Sequence, residues 1–293
     1  MAHPSCVLPG GTDRAPGARP GRPRVRHRLL QAAACLALLG SPGVKAGPAP
    51  AADATWTLAA LSQAFEQEVR PRLQVPGAAV AGYRERLQQL LFDLDLRLDV
   101  PQLLLLVDRS PKVQVLLMFW GSATQPWQLI GASPVSTGLP GRYEHFGTPL
   151  GVFEHSLFNP DFRAEGTKNE LGIRGYGRKG ARVFDFGWVP AAKGWGNHGL
   201  SVMRLQMHAT DPDLLERRLG SAQSKGCVRI SAALNEFMDR LGVLDQDYEE
   251  ELEAGRRLWV LRPDRTPTPW SGRYLVVIDS GATARPAWSP APR

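Results

Sequence analysis

The spacing of apolar residues changes rhythm along this chain, and each change predicts a different kind of element. Between Trp56 and Leu98 the rhythm is helical. "WTLAALSQAFEQEVRPRL" breaks near Pro71, and "VPGAAVAGYRERLQQLLFDLDLRL" resumes with Leu87, Leu90, Leu91 and Leu94 at helical spacing. From residue 102 the apolar runs shorten to strand length. "QLLLLVD" (102–108) and "KVQVLLMFW" (112–120) flank "RSP" in a hairpin-like arrangement, and "WQLIGASPVSTG" (127–138) and "TPLGVFEHS" (148–156) continue the pattern across the break "LPGRYEHFG". "SVMRLQMH" (201–208) alternates: Met203, Leu205 and Met207 predict one face, and Arg204, Gln206 and His208 predict a polar one, with His208 at the strand end. "RLWVLR" (257–262) and "RYLVVID" (273–279) predict two closing strands.

Punctuation residues predict two helices among these strands. "DPDLLERRLG" (211–220) has Asp211 as cap, Pro212 at the first position and Gly220 as stop. "SAALNEFMDRLG" (231–242) is capped by Ser231 and ended by Gly242, with Leu234, Phe237, Met238 and Leu241 as its buried face. The glycine-dense stretch 159–199 predicts hairpins and a surface loop, with a substrate-covering flap as the functional alternative. Its "GIRGYG" has the wrong spacing for a dinucleotide fingerprint and lacks the strand-to-helix setting. The expected architecture is therefore a β-rich α+β domain, a mixed sheet or sandwich with short helices, over residues 102–280. A small helical region (56–101) precedes it and a disordered tail (281–293) follows.

Charge changes the picture of what the chain meets. The formal net charge is +7, from 35 Lys/Arg and 28 Asp/Glu. Seven of those basic residues and one acid lie in residues 1–46, so the rest carries 28 against 27, a balance that leaves no footprint for nucleic acid. The same 46 residues have the parts of an export signal: basic "RPGRPRVRHR", the apolar run "LLQAAACLALLG" (29–40) and the small-residue cleavage point "VKA" (44–46). An apolar helix of that length reaches only about 18 Å, short of the roughly 20 residues a bilayer needs, so no stable membrane span is expected. The reading is a signal peptide (1–46), a linker (47–55), and export to the periplasm or cell envelope.

Export alters the meaning of the cysteines. Cys6 and Cys35 leave with the leader, and the mature chain keeps Cys227 alone, where exported proteins ordinarily use cysteines in pairs. A lone thiol is either a small buried hydrophobe or a nucleophile. Its neighbours favour the second reading. Lys225 and Arg229 flank it and a helix start follows, both of which favour a thiolate, while Gly226 lets backbone amides approach a substrate carbonyl as an oxyanion hole. No histidine follows Cys227, which excludes a cysteine-then-histidine order. His208, upstream at a strand end with a short helix between, is the best-placed base. His145, His155 and His198 lie in loop-like sequence and are expected to be solvent-exposed. A metal site at His208, Asp211 and Asp213 is disfavoured by spacing and by the capping role of Asp211.

The segment "MHATDPDLLERRLGSAQSKGCVRI" resembles the active-site segment of the L,D-transpeptidase catalytic domain, the YkuD-like family. That pattern runs from a histidine, over some 14 to 17 residues in the family, to Ser/Thr-His-Gly-Cys, an apolar residue and Arg or Asn. His208 matches the first histidine, and Ser224, Gly226, Cys227, Val228 and Arg229 match the later block. "PVSTG" (134–138) and "TPLGVF" (148–153) resemble the two upstream signatures, in order, and the likeness covers roughly residues 102–280. One position departs: Lys225 stands where the family has a second histidine.

The resemblance implies acyl transfer on peptidoglycan stem peptides, without a cofactor or a metal. Cys227 would attack the carbonyl of the third residue of a tetrapeptide, release the terminal D-amino acid and pass the acyl group to an amine. His208 would serve as general base and acid, the carbonyl of Ala209 would orient its ring, and the Gly226 backbone would contribute to the oxyanion hole. Ser224, Lys225 and Arg229 would bind substrate. The alternatives are a hydrolase of the same fold (an L,D-carboxypeptidase or a cross-link- or protein-releasing amidase) and a non-catalytic peptidoglycan-binding protein.

Overall fold

The computed structural model describes residues 56–289 and 291–292; the predicted signal peptide (1–46) and linker (47–55) lie outside the described residues. In chain order the elements are helices α1 (Leu58–Glu68) and α2 (Gly77–Asp93), then strands β1 (Gln102–Asp108), β2 (Val115–Gly121), β3 (Gln128–Pro134), β4 (Gly151–Glu154), β5 (Phe162–Arg163), β6 (Arg182–Ala192) and β7 (Leu200–Ala209). Strand β8 (Val228–Ile230), helices α3 (Ala232–Leu241) and α4 (Gln246–Glu253), and strand β9 (Tyr274–Ile278) complete them. The described residues thus form a mixed α+β protein with two β-sheets and few, mostly short helices, compatible with a β-rich fold.

One sheet has the order β3-β2-β1-β9-β4, the other β5-β6-β7-β8. Each contains one parallel pair, β1 with β9 and β7 with β8, among antiparallel neighbours. The run "QLLLLVD" is apolar throughout because β1 is covered on both faces. Leu103, Leu105 and Val107 join a core with Met203, Leu205 and Met207 of β7, whereas Leu104 and Leu106 pack with Val80, Tyr83, Leu87 and Leu91 of α2. The expected helical stripe is therefore buried at Leu87 and Leu91 but not at Leu94, which is exposed.

The helices of residues 56–101 share these cores. Phe65 of α1 meets Phe237 of α3 edge-on at 5.4 Å between ring centroids. Gly131 of β3 makes room for it, since a Cβ there would lie 2.2 Å from the Phe65 ring. Helix α3 has the predicted caps, with the Ser231 side chain accepting from the Leu234 N–H and Gly242 left-handed at φ 63°.

Four expectations fail. Residues 257–262 form no strand: Trp259 is exposed, and Arg262 ties the segment sideways to Glu236 and Asp264 instead of to a ladder. Residues 211–220 form turns with a 3-10 turn at Glu216–Arg218, although the Asp211 carboxylate does accept from the N–H groups of Asp213 and Leu214. The tail expected to be disordered packs from 281 to 289, with Trp288 edge-on to Tyr83 and the Ser289 hydroxyl donating to the Val113 carbonyl at 2.6 Å. His155, expected in solvent, is fully buried, with Nδ1 2.7 Å from the Leu244 carbonyl oxygen and Nε2 2.8 Å from Asp161.

Candidate active site

The polar face of the second sheet carries the candidate chemistry. The inward residues of β7 fill the core, so Arg204, Gln206 and His208 point to the other side. Strand β8 pairs parallel with β7, with Met207 opposite Val228 and His208 opposite Arg229. Val228 and Ile230 lie in the core, so Arg229 on the neighbouring strand faces the same way as His208, and Cys227 immediately precedes that strand in the lining of the same cleft. Cys227 and His208 line one cleft of about 590 Å³, and each is only 4% exposed.

Three distant sequence blocks meet at the cysteine turn. The N–H groups of Gln223 and Ser224 donate to the Thr137 carbonyl, and Leu139 and Phe146 donate to the carbonyls of Ser224 and Lys225. The Thr148 hydroxyl accepts from the Gly138 N–H at 2.8 Å and donates to the Gly226 carbonyl at 2.6 Å. It thereby couples residues 134–138, 148–153 and 224–229. Gln114 supports this from below, its side-chain oxygen accepting from the Thr137 N–H at 2.8 Å. Gly138 has no substitute here: a Cβ would lie 2.1 Å from the Phe146 carbonyl oxygen and 3.1 Å from the Gly226 Cα.

Two glycine-loop residues behave differently from their expected roles. Ser224 is 1% exposed, and its hydroxyl donates to the Cys227 carbonyl at 2.6 Å while accepting from the Gly226 N–H at 3.0 Å. It braces the turn and offers a substrate no free hydroxyl. The same bond engages the Gly226 amide, so an oxyanion role for that N–H requires the Ser224 bond to be exchanged. What Gly226 contributes instead is conformation, with φ 138° and Met203 where a Cβ would fall.

His208 Nδ1 lies 2.8 Å from the carbonyl oxygen of Ala209. A carbonyl only accepts, so Nδ1 carries the proton and the neutral ring has its lone pair on Nε2. Burial pushes the imidazole down to about 4, the nearby Arg229 charge adds to this, and the Ala209 bond opposes it. At neutral pH the ring is therefore a base, not a cation. Tyr176 stands over it edge-on at 4.6 Å and donates from its hydroxyl to Gln206 at 3.1 Å. Gln206 and Arg204 both donate to Asp185 at 2.7 Å, which fixes the polar face behind the ring. The Cys227 Sγ lies 3.8 Å from the Arg204 carbonyl oxygen.

Lys225 lines the cleft, but its ammonium pairs with Glu144 at 3.0 Å. His145, expected in solvent, lines the same cleft and its pKa is lowered by burial and by the charges of Lys225 and Arg142. Reading the sequence alone missed Thr148, Tyr176, Glu144 and the arginines at 142, 174 and 218 as individual residues; Thr148 had a signal as the first residue of "TPLGVF", and Arg174 and Tyr176 had one in lying within the glycine-dense stretch whose functional alternative is a flap. No group of His, Cys, Asp and Glu suited to a metal ion occurs among the described residues. Among them, too, no helix is long and apolar enough to cross a membrane. No known protein-family model matches this chain, and no curated protein matches it.

Proposed function

We propose that this protein is an exported cysteine acyltransferase of the cell envelope that acts on peptidoglycan stem peptides as an L,D-transpeptidase. The observation that carries the reading is the meeting of residues 134–138, 148–153 and 224–229 around a thiol that shares a cleft with a neutral histidine. As substrate enters, His208 Nε2 takes the thiol proton while Sγ bonds to the carbonyl carbon of the stem's third residue. Collapse of the tetrahedral adduct breaks the C–N bond, and the imidazolium gives its proton to the departing terminal D-amino acid. An acceptor amine then attacks the thioester, with His208 again taking the proton, and the cysteine is released as thiol.

The two-sheet architecture suits an L,D-transpeptidase-like fold, and the export-signal pattern read in residues 1–46 suits the envelope. Incubation with tetrapeptide-bearing muropeptides, followed by intact-mass measurement, tests the reading. An acyl adduct on Cys227 with loss of one D-amino acid is expected, and none on Cys227→Ala. A new cross-link among the products denotes transfer. A shortened stem or released protein denotes the hydrolase, and wall binding without any adduct denotes a binding protein.

A further inference from the structure

The cleft that holds Cys227 is lined by five cations, Arg142, Arg174, Arg218, Lys225 and Arg229, and by no carboxylate. Two of the five are answered from outside the lining: Arg174 by Asp211 at 3.2 Å and Asp213 at 2.7 Å, and Lys225 by Glu144 at 3.0 Å. Arg142 and Arg218 form no ion pair among the described residues. They come from separate loops, one before β4 and one after β7, yet open onto the same cavity. Outside residues 1–46 the chain is close to neutral, so this concentration of positive charge is local. A concave, low-dielectric wall focuses such a field on whatever occupies the cleft.

We propose that the cleft selects its acyl donor by negative charge, taking a peptide with at least two free carboxylates, and that Arg142 and Arg218 are the residues that determine this specificity. The proposal deepens the acyl-transfer reading and rests on it for the reacting carbonyl. A guanidinium at an exposed rim holds a carboxylate with modest strength in water, so two of them discriminate by about tenfold. The preference also weakens as salt rises, because the contacts lie in solvent.

The test measures binding apart from chemistry. Two synthetic stem tetrapeptides, one with its side and terminal carboxylates free and one with them amidated, are titrated calorimetrically into Cys227→Ala. The free-acid peptide is expected to bind about tenfold more tightly, the gap closing in 0.5 M salt and in a variant that adds Arg142→Gln and Arg218→Gln. Both arginines are exposed, and a thermal melt checks that the variant folds. Equal binding of the two peptides, no binding of either, or a gap that survives loss of both arginines overturns the proposal. Intact mass on the native protein separates the two ideas: a charge-dependent affinity with no adduct from either peptide refutes acyl transfer and leaves charge selection standing.

Discussion

Replacing His208 with Asn isolates the energetic consequence of burying a neutral imidazole. The Asn amide stands near the position of Nδ1–H and can keep the bond to the Ala209 carbonyl, while the titrating ring is removed. In the fold the ring is held at about 4 against an ordinary 6.5. Above pH 6.5 neither state binds the proton and His208 contributes nothing to pH dependence. Below it the unfolded chain takes up a proton that the folded chain refuses, so stability falls as pH drops and levels off below about 4. At pH 4.5 the linkage amounts to about 2.5 kcal/mol lost by the native protein and not by the variant. Packing lost with the Tyr176 contact is the same at every pH and cancels in the comparison. The assay is urea unfolding of both proteins at pH 7.5 and 4.5, followed by tryptophan fluorescence. If acidification costs the two proteins the same within about 0.5 kcal/mol, His208 is not held neutral by burial and its role as a resting base fails.

Two further perturbations probe the scaffold. Gly138→Ala should cost about 1–3 kcal/mol by overpacking and slow the formation of the Cys227 adduct, because the methyl group presses on the Phe146 carbonyl and the Gly226 Cα. Gly82→Ala in α2, where nothing lies within 4 Å, should stabilise by about 0.5–1 kcal/mol; denaturation midpoints that move alike for the two would refute the packing argument. His155 titrates in the opposite sense to His208. Burial pulls it down, but the Asp161 charge and hydrogen bond overcome this and leave it raised. Its stabilisation is then complete below 6.5 and is lost as pH rises through the higher folded value. His155→Gln should lack that alkaline slope in thermal melts, and a variant that keeps it would show that the ring is not the titrating group.

Strand and helix rhythm made most of this fold legible, and tertiary context explains the rest. β1, β2, β3, β7, α3 and β9 follow from runs whose period survives folding, since each has a face the core must cover. The 257–262 run is also rich in apolar residues, yet Arg262 finds carboxylates on either side and Trp259 stays in solvent, so only Val260 is buried and no alternating face forms. Helix α4 went unread because its sequence is mostly acidic and Tyr248 is its one fully buried residue. His155 could not be placed from sequence: its partners Asp161 and Leu244 come from segments 6 and 89 residues away. At the candidate site, alternation located the polar face of β7 and the turn residues located Cys227. The cations at 142, 174 and 218 have no shared spacing, and only the folded loops bring them onto one wall.

The two sheets differ, for a physical reason, in whether they can present polar side chains. A sheet covered on both faces cannot present a polar group to a substrate without burying it unsatisfied, and the first sheet, between α2 and the second sheet, is of that kind. The second sheet has one face free of the apolar core, and there Asp185, Arg204 and Gln206 satisfy one another beside His208. That arrangement lets an imidazole be dry enough to stay neutral while its neighbours keep their hydrogen bonds. The parallel pairing of β7 and β8 then sets the thiol at the start of the adjacent strand, and the Thr148 bridge fixes the turn that carries it. Lys225 fits the same logic. An ammonium left unpaired there would add to the field that already depresses His208, and Glu144, left-handed at φ 59°, is placed to absorb it. Removing the Glu144 carboxylate therefore leaves one of the cleft's five cations unanswered beside the face that carries Cys227 and His208, whereas removing Lys225 as well takes that cation away.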